Sequence, residues 1–176
     1  MQNDTLTGNS IDQTYQPSHD EAARQRIVSV MRNLAKTDMF RHVENRYHQN
    51  IEHDLKQSRA GRALDGHDIE RAMRGTPEYR FYSAFRYNTQ EMTYQAVLDP
   101  IERGAGTIND AARDVASRKP AGGSVTLDPK VEIPNYLKAL DVHLVPGCFY
   151  TEYAPDDVIQ GMILAEGGKV ATGANP

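Results

Sequence analysis

Tryptophan is absent from this chain and cysteine occurs once. No apolar run reaches the roughly 18 residues that a membrane-spanning helix requires. A single Cys148 excludes an internal disulfide. With no Trp and four Phe, the nine Tyr supply most of the aromatic mass. Glycine-rich phosphate loops are also missing. Neither Gly104-Ala-Gly106 nor Gly122-Gly123 has the third glycine, the preceding strand or the following helix of the dinucleotide fingerprint, so no nucleotide-cofactor site is recognisable. Positive charge is in short supply as well. A net charge of −4 argues against a duplex or an anionic membrane surface as partner, because neither would be attracted. No charged segment precedes an apolar run as in a secretory signal, which makes the cytoplasm the expected compartment.

A chain of 176 residues accommodates one domain with a sizeable core, and 25% charged residues mark an ordinary soluble composition. The charge is unevenly placed. From Asp141 onward five acids face the single base Lys169, so the excess lies entirely at that end. Residues 1–17 are polar and aperiodic, as expected of a disordered leader. A single helical domain is expected over residues 18–168, with a loose tail over 169–176.

Ser18 with Glu21 matches a capping box. The helix it opens is expected to bury Ile27, Met31 and Leu34 or Ala35 and to stop near Lys36. Asp38 then caps a second helix with an apolar stripe at Met39, Val43, Tyr47, Ile51 and Leu55. Thr76-Pro77-Glu78 starts the most aromatic helix, which carries Tyr79, Phe81, Tyr82, Phe85 and Tyr87. Asp99-Pro100 should break or restart it, and Thr107 with Asp110 should open another helix over residues 108–116. Lys119 to Gly123 reads as a flexible connection. Beyond it four prolines punctuate the chain. Residues 135–140 allow a turn or two of helix, residues 142–145 a short strand ending at Pro146-Gly147, and residues 156–165 a last helix halted by Gly167-Gly168. The expected fold is mainly α, an irregular domain of five or six helices with a Pro-rich, hairpin-like segment near residues 125–153.

The candidate chemistry concentrates in that segment. On a strand, Asp141 and His143 would share a face, and Glu152 could reach them across the Pro146-Gly147 turn. Such a set suits a general base or a divalent metal. The alternative is a capped turn with an ordinary, satisfied histidine. Glu44, His48 and Glu52 share a helix face at four-residue spacing, which suits either a metal shared with a partner chain or a solvated surface. Arg80, Arg86 and Tyr87 combine cations with aromatics, which can grip an anionic or planar ligand or simply pack in the core. Cys148 lacks a basic neighbour in sequence and reads as an inert buried thiol.

The run Leu127-Asp-Pro, Ile133-Pro-x-Tyr136, Ala139-Leu-Asp-x-His143-Leu-x-Pro-Gly147, Tyr150-Thr-Glu152, Asp156-Asp-Val158 and Gly161 resembles the region that precedes the catalytic domain in a group of bacterial class I S-adenosylmethionine-dependent methyltransferases. The stretch Arg86-Tyr87-Asn88-Thr-Gln90-Glu-Met92-Thr is similar to the rest of that leading domain, and the likeness spans roughly residues 20–165. The resemblance implies an accessory domain that covers a substrate site or makes dimer contacts. S-adenosylmethionine is implied only through a catalytic domain supplied elsewhere, and this chain alone is expected to bind no cofactor and no metal. Expected partners are a second copy, a catalytic domain or a small-molecule substrate, with neither nucleic acid nor membrane. Arg86, Tyr87, Asp141, His143, Tyr150 and Glu152 are the candidate ligand residues, with no catalytic residue assigned. A stand-alone ligand-binding protein and a metal-assisted hydrolase using Asp141, His143 and Glu152 are the alternatives.

Overall fold

The computed structural model describes residues 14–59, 61–118 and 126–174. The described residues are mainly helical and include no strand. Helix α1 spans His19–Leu34 and opens on the expected capping box. The Glu21 amide donates to Ser18 Oγ at 3.3 Å, and the Ser18 amide donates to Glu21 Oε2 at 2.6 Å.

The buried face of α1 differs from the expected one. Glu21, Gln25, Val28, Arg32 and Ala35 turn inward, whereas Ile27 and Leu34 are exposed. Glu21 and Gln25 are tolerated inside because they meet partners on other elements, described below. Nor does the chain stop at Lys36. A π-helical turn, Ala35–Met39, carries it directly into α2, Phe40–Asn50, and Asp38 forms no cap. The expected stripe is covered most fully at Val43. Helix α3 is Glu52–Ser58. Helix α4, Gly66–Met73, is capped by Asp65, whose Oδ1 accepts from the Asp68 amide at 2.9 Å.

Helix α5 runs without interruption from Pro77 to Ser117, 41 residues or about 60 Å. Its start is the expected one, with Thr76 Oγ1 accepting from the Tyr79 amide at 3.3 Å and Pro77 in the first turn. The expected break at Asp99-Pro100 and restart at Thr107 do not occur. Proline removes the amide that would bind the Ala96 carbonyl, and Gln25 Nε2 supplies the donor instead, at 3.1 Å.

The connection at residues 119–123 lies outside the described residues. Helix α6 is the short Asn135–Ala139. The expected strand at 142–145 is a single 3₁₀ turn, Val142–Leu144, because His143 and Leu144 take positive φ of 59° and 60° and fold the chain back. Helix α7 is Ile159–Thr172. It starts three residues later than expected, and Asp157 Oδ1 accepts from the Ile159 amide at 3.0 Å. It also runs through Gly167-Gly168, so the expected loose tail is helical to Thr172, and Val170 is fully buried.

Helices α1, α5 and α7 pack on one another. Val28 from α1, Val97, Ile101 and Ile108 from α5, and Ile159, Ile163 and Val170 from α7 form the centre of the core, with Val145 joining from the loop. Gly167 permits the closest approach, since a Cβ there would lie 2.5 Å from Tyr94 Cδ1. The expected disordered leader is corrected at its end. Tyr15 packs against the core, and Gln25 Nε2 donates to its hydroxyl at 2.6 Å. Residues 1–13 lie outside the described residues. Among the described residues no helix is long and apolar enough to cross a membrane.

Candidate ligand groove

The aromatic first turns of α5 do not reach the core. Buried residues of this helix begin at Thr89, whereas Phe81 and Tyr87 are 66% and 59% exposed. The core fate open to these rings in the sequence is therefore not the one adopted. Phe81 stacks obliquely on Phe85 with centroids 6.1 Å apart, and Phe40 meets Tyr82 at 6.2 Å. Aromatic rings left uncovered on one side become the walls of grooves.

One such groove, about 470 Å³, lies between α5 and the 3₁₀ turn. Tyr79, Tyr82, Arg86, Tyr87 and Gln90 line it from the helix, and His143 and Leu144 close it from the turn. The loop is held in place from three directions. Gln90 Nε2 donates to the His143 carbonyl at 3.3 Å, Val145 is fully buried, and Gln160 Nε2 of α7 donates to the Pro146 carbonyl at 3.0 Å. Gly147, at φ 79°, leaves the space that Gln160 fills, since a Cβ there would come within 2.2 Å of Nε2. Cys148 is buried, with Sγ donating to the Leu140 carbonyl at 3.1 Å.

Of the six sequence candidates, the structure brings Arg86, Tyr87 and His143 to this groove. Asp141, Tyr150 and Glu152 are exposed and do not line it. The imagined carboxylate–imidazole–carboxylate set does not assemble. His143 makes no hydrogen bond or ion pair with Asp141 or Glu152, and its ring lies edge-on to Phe149 at 6.3 Å. The cause is the positive-φ turn, which destroys the strand alternation that would have aligned Asp141 with His143. Among the described residues no three His, Cys, Asp or Glu side chains converge as metal ligands. On α2 and α3, His48 and Lys56 both pair with Glu52, at 2.7 and 2.6 Å, in a surface cluster.

Tyr79, Tyr82 and Gln90 were not among the sequence candidates. Their signal was the helical spacing from Arg86, which sets Tyr82 one turn before it and Gln90 one turn after. Electrostatically the groove is cationic. The Arg86 side chain has no carboxylate partner among the described residues. No family model matches the chain, and neither a curated protein nor a solved structure shows significant similarity to it.

Proposed function

We propose that the chain is a non-catalytic ligand-binding protein whose groove between α5 and the 3₁₀ turn takes a planar organic molecule. The observation that carries this reading is the set of half-buried Tyr79 and Tyr82 and exposed Tyr87 around Arg86, which has no ion pair among the described residues, roofed by His143. Rings and a guanidinium offer flat faces for stacking, and Gln90 and Ser83 add hydrogen-bonding capacity. An accessory role beside a methyltransferase catalytic domain makes the same demand of the groove, that it cover a substrate, and adds the demand of a catalytic partner.

Titrating the full chain with neutral heteroaromatic fragments (indole, quinoline and adenine) tests the reading by side-chain and amide chemical shifts. At least one fragment is expected to perturb Tyr79, Tyr87, Gln90 and His143 together. Tyr87→Ala should weaken that binding by about tenfold, equivalent to about 1.4 kcal/mol of lost stacking. Fragments that perturb only sites away from the 3₁₀ turn would refute it.

A further inference from the structure

Across Tyr82 and Arg86 from the groove lies a second concavity of about 330 Å³. Arg32, Lys36 and Phe40 form its other wall, so among the described residues three cations and no carboxylate line it. Arg32 is only 9% exposed, yet it has no ion pair among the described residues. Its one hydrogen bond there runs from Nη1 to the Arg86 carbonyl at 3.3 Å, and its Nε is buried without a partner. A guanidinium keeps its charge in a protein, so burial next to a second arginine is unfavourable unless an anion arrives. Burial first, and then the like charge of Arg86, press the Arg32 pKa downward. The site sits on the π turn, where Ala35 and Lys36 continue the helix from Arg32. Such turns recur at functional positions because they widen a helix locally. Lys36 is fixed by donating to the Ala171 carbonyl at the end of α7, at 2.7 Å.

We infer that this concavity binds a phosphate monoester, clamped between the Arg32 and Arg86 guanidiniums with Lys36 beside them. Three cations without an acid favour a dianion over a monocarboxylate, and guanidiniums match phosphate oxygens in pairs. The inference does not depend on the aromatic groove. Because Arg86 borders both concavities, a phosphate joined to a planar ring would span them.

Thermal unfolding of the full chain in inorganic phosphate, against chloride and acetate at matched ionic strength, tests it. At about tenfold above its dissociation constant, phosphate should raise the Tm by about 3–6 °C. Arg32→Met should abolish that increment and raise the phosphate-free Tm, because an unpaired buried charge is gone. Arg86→Gln removes the like charge beside Arg32 from an exposed side chain, so it should weaken phosphate binding at least tenfold without lowering the phosphate-free Tm; it carries the test if Arg32→Met does not fold. Equal stabilisation by chloride or acetate would overturn the inference. So would an intact phosphate response in Arg86→Gln, or in an Arg32→Met protein of lowered Tm, which would mark Arg32 as purely structural. Phosphate binding without any heteroaromatic binding would sink the groove reading alone.

Discussion

Gln25 Nε2 lies 3.1 Å from the Ala96 carbonyl, the acceptor that Pro100 leaves without its ordinary helical donor. Gln25 is 3% exposed and Pro100 is buried, so water has little access to replace the bond. A side chain 71 residues earlier thus completes the hydrogen-bonding of α5 and lets it continue as one helix.

Removing that donor should cost most while the proline is present, since once the proline is replaced only its bond to Tyr15 is left to lose. Gln25→Ala is expected to destabilise by about 1–3 kcal/mol, the penalty of a buried unmet carbonyl. In a Pro100→Ala background, where the restored amide binds Ala96, the same change should cost clearly less. Urea midpoints of the four proteins in the double-mutant cycle give the coupling. Additive losses would show that Gln25 does not act through the carbonyl that Pro100 leaves open.

Acid should release the pair that ties α1 to α5. Arg103 donates to both Glu21 oxygens, at 2.9 and 2.7 Å. The Glu21 carboxyl is held down to about 2, first by Arg103 and further by the Ser18 backbone and hydroxyl, against the opposing effect of burial. A depressed folded pKa contributes stability that is present above the unfolded value and lost as pH falls through the folded one. Glu21→Gln should therefore be less stable than wild type at pH 7, by on the order of 1 kcal/mol given the half-exposed Arg103. The gap should narrow between pH 4.5 and 2. A gap independent of pH would show that the charge contributes nothing.

Alkali should act on Tyr15. Its phenol is pushed up to about 12, chiefly by burial. A raised folded pKa gives stability that is complete below the unfolded value near 10 and lost as pH rises through 12. Tyr15→Phe, which lacks the bond from Gln25, should be about 1 kcal/mol less stable at neutral pH, with the difference closing above pH 10. Removing residues 1–17 altogether should lower the Tm by several degrees, because the Tyr15 ring leaves the core. An unchanged Tm would mean that Tyr15 rests on the domain without supporting it.

Gly167→Ala places a methyl group against the Tyr94 ring, with nothing flexible to yield. It should destabilise by about 1–3 kcal/mol. Gly168→Ala, one residue on and with open space beside it, should be neutral or slightly stabilising, since alanine favours helix. Equal effects at both positions would show that α5 and α7 do not approach as closely as described.

Where each signal acts along the chain explains what was legible in it. Ser18 with Glu21, and Thr76 with Pro77, act within one helical turn, so the starts of α1 and α5 and the mainly helical class could be read from local residues. Arg86, Tyr87 and His143 were likewise recognisable by side-chain type. What crosses between elements was not. The passage of α5 through Pro100 depends on Gln25, and the helical path through Gly167-Gly168 is stabilised by packing against Tyr94 and by burial of Val170. The inward face of α1 is set by partners such as Arg103 and the Ala96 carbonyl, which outweigh the apolar spacing of Ile27 and Leu34. His143 lines the groove of Arg86 instead of meeting Glu152 because a left-handed turn, anchored by Gln90 and Gln160, redirects the loop. Local rules act over a turn of helix. The groove arises from contacts spanning 50 residues or more, and only the folded chain brings those groups together.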